Sequence, residues 1–195
     1  MGAAVGAGKC RGIIGMKQAN GSSLLRCEAV SLEQLSALQR IAQQTFIETF
    51  ADSNSASDMA DYVAQRLSAE QLLRELQTVG SHFYLALWED QVAGYLKLNT
   101  GAAQTHPESP EALEIERIYV LQSFQGQKIG RFLLEKAFNE ARLLQAPYVW
   151  LGVWEENQKA IRFYEQHGFE RYDTHVFQLG NDAQTDWLMR LSHPY

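Results

Sequence analysis

Two stretches of the chain hold side chains whose types and spacing allow chemistry. In residues 114–120, Glu114 and Glu116 alternate with apolar neighbours, so a strand would set both carboxylates on one face. Carboxylates facing a cleft can take a proton from an amine, directly or through water. The same pair can equally be solvated, or paired with Arg117 or Lys97. Just beyond, Gln125-Gly126-Gln127-Lys128-Ile129-Gly130-Arg131 leads through a glycine-bearing turn into an amphipathic helix. The first turn of a helix offers unpaired N–H groups and a positive dipole end, which together hold anionic phosphate. Glycine lets the backbone approach a ligand closely, and Lys128 and Arg131 add charge nearby. An ordinary strand–turn–helix with a glycine at its bend fits these residues as well.

The elements that would position these groups follow from periodicity. A short strand is expected over 24–30. Ser31, with Gln34 three residues on, then reads as a capping box for a helix running to about residue 50. Residues 51–57 read as a loop, and 57–67 and 69–77 as two further helices. Strands over 82–88 and 91–99 are joined by the tight turn Glu89-Asp90. After a loop over 100–110 come a strand at 114–120, a helix at 126–145 and an almost wholly apolar strand at 148–153. A short helix at 157–167 and strands at 169–179 and 185–191 complete the chain. This is a mixed α/β (α+β) single domain built around one sheet.

Composition bounds the function. The chain has 195 residues, 17 Lys and Arg against 23 Asp and Glu, and a net charge of −6. Proteins that bind nucleic-acid phosphates usually carry a basic excess, so nucleic acid is disfavoured as a partner. Two cysteines make neither a disulfide framework nor a structural zinc site. Together with the lack of a long apolar window, this points to a cytoplasmic protein with no membrane partner. The five histidines have no metal-ligand spacing, so no metal is expected. Residues 1–23 read as a disordered, Gly/Ala-rich extension, and 24–195 as the folded domain. Gly6-Ala7-Gly8-Lys9-Cys10 lacks the leading glycine and the Ser or Thr of a phosphate-binding loop.

The turn at Gln125–Arg131 resembles the Gln/Arg-x-x-Gly-x-Gly/Ala signature of the GCN5-related N-acetyltransferases. Trp150-Leu151-Gly152-Val153 and Asn157-x-x-Ala160-x-x-Phe163-Tyr164-x-x-x-Gly168-Phe169 resemble the second half of that family's core. One departure stands out: Lys128 occupies the usual first-glycine position. Glu48-Thr49-Phe50, residues 113–119, residues 150–155 and Gln184-Thr185-Asp186 are similar to the bacterial spermidine/spermine acetyltransferases of the Pai type.

The resemblance implies a mostly antiparallel central sheet flanked by helices, with acetyl-CoA as co-substrate. The cofactor would lie along Ile118, Tyr119 and Val120, then across Gln125, Gly126, Gln127, Lys128, Ile129, Gly130 and Arg131. Main-chain groups of Ile118 and Val120 would pair with its pantetheine arm, and Asn157 would bond to that arm. Tyr164 would stand near the sulfur as general acid, and Glu114 falls where some members carry a catalytic glutamate. Asn157 also fits a helix N-cap, and Tyr164 also fits a core aromatic between Phe163 and Phe169.

Charge supports a cationic acceptor apart from the family. Residues 41–65 contain no Lys or Arg but hold Glu48, Asp52, Asp58 and Asp61. Residues 98–116 contain none either, against Glu108, Glu111, Glu114 and Glu116. Solvated acidic faces would give the same runs. The expected reaction is acetyl transfer from acetyl-CoA to a polyamine. Glu48, Asp52, Glu114 and Glu116 would hold the acceptor's ammonium groups, and Glu114 or Glu116 would take the reactive proton. Other amines (a protein N-terminus, an amino acid, an aminoglycoside), a non-catalytic acyl-CoA-binding module and a homodimeric state stay open.

Overall fold

The computed structural model describes residues 16–17, 23–106, 109–179 and 182–194. Most of the expected extension, including the Gly6–Cys10 string, lies outside the described residues. Met16–Lys17 forms a two-residue strand, β1, paired with Ser23 and Leu25 of β2 (Ser23–Ala29).

A 3-10 turn, Leu32–Gln34, leads into α1 (Leu35–Phe50). The Gln34 side chain accepts a hydrogen bond from the Ser31 amide at 2.9 Å, as the capping-box spacing predicts. Helices α2 (Ala56–Arg66) and α3 (Ala69–Gln77) start on Ser55 and Ser68, whose hydroxyls accept from the amides of Asp58 and Gln71. Strands β3 (Ser81–Trp88) and β4 (Gln91–Thr100) form a hairpin. Its turn residues Glu89 and Asp90 both have positive φ, 46° and 70°, the twist that a two-residue hairpin demands. Next come β5 (Leu113–Val120), α4 (Ile129–Leu144), β6 (Tyr148–Trp154), α5 (Gln158–Gln166), β7 (Glu170–Leu179) and β8 (Asp182–Ser192).

The strands form one eight-stranded sheet in the order β1-β2-β3-β4-β5-β6-β8-β7. Every neighbouring pair is antiparallel except β5 and β6, which are parallel. Helices cover both faces. Leu133, Leu134 and Ala137 of α4 pack with Leu96, Leu113, Ile115 and Leu151 on one face. Leu38 of α1, Met59 of α2 and Leu72 of α3 pack with Phe83, Leu85 and Tyr95 on the other. Burial on both faces explains why β3 and β6 read as nearly continuous apolar runs. Leu133 is fully buried, and cutting it to alanine would cost about 2–5 kcal/mol through lost burial and a residual cavity.

The helix expected over 126–145 starts later, at Ile129. Gly126 and Lys128 have φ of +81° and +62°, in the left-handed region that a right-handed helix excludes. The 126–128 segment is therefore a turn that aims the helix start.

Candidate active site

Strands β5 and β6 pair only at Leu113–Val149 and Glu114–Trp150. Beyond that they part, while β5 stays bonded to β4 as far as Val120. The parting opens a cleft of about 1050 Å³ whose walls include Ile118 and Val120 from β5 and Gly152, Val153 and Trp154 from β6. The edge of β5 that faces the gap keeps main-chain groups available to an extended ligand, as an added strand would use them. From Glu114 to Val120 the cleft runs about 20 Å along the strand.

A β-bulge shapes the far part of this wall. Lys97 pairs with Arg117 and Leu98 with Ile115, so Glu116 is an extra residue on β5. Simple alternation would set Arg117 opposite Glu114 and Glu116. The inserted residue resets the phase, and Arg117 instead joins them towards α3. Glu75 of α3 accepts from Arg117 at 2.8 and 3.2 Å and from Lys97 at 2.8 Å. Glu116 is paired with Lys97 at 2.6 Å and Arg117 at 3.0 Å. Burial opposes ionisation of Glu75, but the Arg117 and Lys97 charges outweigh it and hold the carboxyl down at about 2.

Glu114 is only 2% exposed and is held by neutral donors. Thr105 donates through its amide at 2.9 Å and through its hydroxyl, and Asn99 Nδ2 donates at 2.9 Å. Burial pushes the Glu114 carboxyl up, and these hydrogen bonds only partly offset it. Both glutamates line the cleft, but one is neutralised by cations and the other is not.

At the opposite end of β5, a 3-10 turn, Gln122–Phe124, precedes the left-handed pair and α4. Helices α2, α3 and α5 have capping side chains at their starts. Helix α4 begins at Lys128 with none. Its first N–H groups are thus available to a ligand, and Gly126, Lys128, Gly130, Arg131 and Lys159 line the cleft beside them. Space around Gly126 is open, and at Gly130 an added Cβ would meet only the Phe163 ring at 3.8 Å. An uncapped helix start flanked by cations suits the phosphates of a nucleotide-bearing cofactor.

Of the other expected cofactor residues, Tyr119, Gln125 and Ile129 line the cleft, and Ile129 is also buried in the core. Tyr119 stacks on Tyr95 with ring centroids 5.8 Å apart. Gln127 is exposed and is not among the lining residues. Asn157 caps α5, accepting from the Ala160 amide at 3.1 Å, and also lines the cleft. Tyr164 is 8% exposed, packs edge-on against Phe163 and Phe169, and borders the cleft. Burial raises its phenol well above the usual range, so the proton stays on oxygen at neutral pH.

The acidic runs divide. Glu48 lines the cleft, where its carboxylate accepts from the Gln122 amide at 2.8 Å and from Gln44 at 2.9 Å. Asp52 is exposed and is not among the lining residues, and Asp58 serves the start of α2. Glu108 lies outside the described residues. Three groups that the charge runs did not single out also line the cleft: His106, His175 and Asp186. Burial holds the Asp186 carboxyl up at about 6; nearby His175 lowers it and Glu155 raises it. Gln184-Thr185-Asp186 was visible in sequence only as a family resemblance. Among the described residues, no helix is long and apolar enough to cross a membrane.

Comparison with known proteins agrees with this geometry. A family model described as the acetyltransferase (GNAT) family matches residues 36–169. A relative from Lactobacillus delbrueckii subsp. lactis, described as an N-acetyltransferase in the pepI 3′ region, is 42% identical over 161 residues. These cover 83% of this chain and 93% of the relative. The spermidine N(1)-acetyltransferase of Thermoplasma acidophilum is 26% identical over 152 residues, 74% of this chain and 88% of the relative. The crystal structure of the PaiA N-acetyltransferase from Thermoplasma acidophilum in complex with coenzyme A superposes with a TM-score of 0.73. It has 22% identity and covers 87% of this chain and 99% of that one. The parted strands, the uncapped helix start and a family match spanning both establish that this chain belongs to the GNAT family of N-acetyltransferases.

Proposed function

We propose that the protein transfers the acetyl group of acetyl-CoA to a primary amine of a linear polyamine such as spermidine. The observation that carries this reading is the parting of β5 from β6 beyond residue 114. It opens one continuous cleft, with the uncapped start of α4 and its cations beside Val120 and the buried carboxyl of Glu114 where the two strands last pair. The relationship to the spermidine acetyltransferase supports the choice of amine.

When bound, acetyl-CoA supplies an acyl group activated as a thioester. Glu114, raised by burial and held by neutral donors, takes the proton that the acceptor ammonium must lose before it attacks. The backbone amides of the bulged strand near Ile118 hold the carbonyl oxygen as it gains charge. Tyr164 keeps its phenolic proton and gives it to the departing thiolate. Glu116, balanced by Lys97 and Arg117, adds little free charge, so Glu48 and Glu114 carry more of the acceptor's attraction.

The test is thiol release from acetyl-CoA with spermidine, spermine, a monoamine, amino acids, an alanine-terminated peptide and an aminoglycoside. Spermidine or spermine should give the highest kcat/KM, and that preference should weaken as salt rises. A peptide or aminoglycoside as the better acceptor would replace the polyamine. CoA binding without turnover on any amine would make the chain a non-catalytic binding module.

A further inference from the structure

Asp186 stands in the cleft wall with an unusual set of neighbours. On β8, Gln184, Asp186 and Leu188 alternate onto one face, and all three line the cleft. His175 is the residue paired with Asp186 across the β7–β8 ladder. The His175 ring lies against that of His106, with centroids 4.1 Å apart. His106 itself follows Thr105, which donates twice to Glu114. The turn after β6 contributes Glu155, whose charge also reaches Asp186.

On β6 the direct partner of Asp186 is Trp154, and the diagonal neighbour, Gly152, carries no side chain. Gly152 lies on β6 past the point where β5 has parted, paired with Leu188 of β8, and it is exposed. A Cβ at this position would lie 3.5 Å from Asp186 Oδ2. A glycine inside a strand often marks the close approach of a ligand. Among the described residues, no side chain donates a hydrogen bond to this half-buried carboxylate. A half-buried carboxylate without a donor costs free energy, and a cation placed against it offsets that cost.

We propose that Asp186, over the Gly152 floor and flanked by His175 and His106, holds the second ammonium group of the acceptor and so selects polyamines over monoamines. The proposal rests on the reading of the protein as a polyamine acetyltransferase. It places the distal charge against β8 while the reactive amine faces Glu114. The site weakens in acid because Asp186 takes up a proton as pH falls through about 6. His175 faces the same carboxylate across the ladder, with the His106 ring against it. The charge of Glu155 also reaches Asp186 and keeps the region negative.

The test compares kcat/KM for spermidine and for butylamine in the wild type, Asp186→Asn and Asp186→Glu. Calorimetric CoA affinity and thermal unfolding check that each variant is folded. The spermidine-to-butylamine ratio should fall by about tenfold or more in Asp186→Asn, the scale of one partly desolvated ion pair. It should recover in part in Asp186→Glu. In the wild type, KM for spermidine should fall as pH rises from 5 to 7, and Asp186→Asn should flatten that dependence. A wild type that prefers spermidine beside an Asp186→Asn variant with an unchanged ratio would overturn the subsite and leave the polyamine reading standing. A wild type that uses butylamine as well as spermidine, or no amine at all, would overturn both.

Discussion

Glu114 and Glu116 accept hydrogen bonds from the same nitrogen, Nδ2 of Asn99, at 2.9 and 2.5 Å. One donor thus ties together two carboxylates whose surroundings push them apart. Glu116 meets Lys97 and Arg117. Among the described residues Glu114 accepts from the neutral donors Thr105 and Asn99, and it is raised by burial and, less, by the Glu116 charge. When two titratable groups sit side by side and only one is neutralised by cations, the other is the candidate for moving protons. The bulge at Glu116 creates this division, because it brings Arg117 to the glutamates' side of the strand.

Glu114→Gln should therefore lower kcat by about 10²–10⁴, the usual contribution of a general base, with CoA affinity little changed. The raised carboxyl works as a base only once ionised. The wild-type rate should thus climb with pH through an apparent pKa above the ordinary carboxylate range, and Glu114→Gln should lose that limb. A variant with reduced rate but the wild-type pH profile would assign the proton to another group.

Glu75 is predicted to be structural, although it is joined to the same network. Its carboxyl sits at about 2 in the fold, against an ordinary 4.5. A depressed carboxyl stabilises the fold fully above the unfolded value, and the stabilisation drains away as pH falls from about 4.5 through 2. Glu75→Gln leaves two largely buried cations, Lys97 and Arg117, with Glu116 as their remaining carboxylate, a loss of about 3–5 kcal/mol at pH 7. Urea unfolding should show that cost shrinking as the pH is lowered towards 2. A cost that stays constant with pH would mean that lost packing, not lost charge, is responsible.

Element order was legible because both helix caps and the two sequence periods are local signals. Ser31 with Gln34, Glu89-Asp90 and the apolar run at 148–153 each led to the element found. The site was legible only where it is contiguous in sequence. Strand β5 and the turn before α4 were found, but the bulge was not, since an inserted residue leaves no mark on composition. The surroundings of Asp186 escaped because Gly152 and His175 reach it through pairing among β6, β7 and β8, and His106 through a loop that lays its ring against His175. Asp52 shows the opposite error. A charge run records sign and not direction, and this residue lies exposed just past the end of α1.

Tyr164→Phe removes only the phenolic oxygen from a side chain otherwise held by Phe163 and Phe169. CoA affinity should be retained while kcat falls by about 10²–10⁴. Because burial holds the phenol above its ordinary value of 10, this group should cause no decline in wild-type rate up to pH 10. Wild-type turnover in the Phe variant, measured where chemistry limits the rate, would mean that water supplies the proton.

Lys128 occupies a backbone conformation that suits glycine, with φ 62° and ψ 13°. A side chain in this region costs about 1–2 kcal/mol, part of which glycine returns as greater freedom of the unfolded chain. Lys128→Gly should therefore raise stability by about 1 kcal/mol or less, seen as a shift of about 2–4 °C per kcal/mol in Tm. Lys128→Ala keeps the strain and removes the same charge, so its stability should stay near that of the wild type. If the backbone N–H groups at the start of α4 do most of the phosphate binding, both variants should lose the same small amount of CoA affinity. An exposed ion pair is worth about 1 kcal/mol at most, or about fivefold, and less at high salt. Calorimetry on the two variants side by side separates the effects. A hundredfold loss of CoA affinity in both would assign the Lys128 ammonium a phosphate contact that the helix start cannot replace.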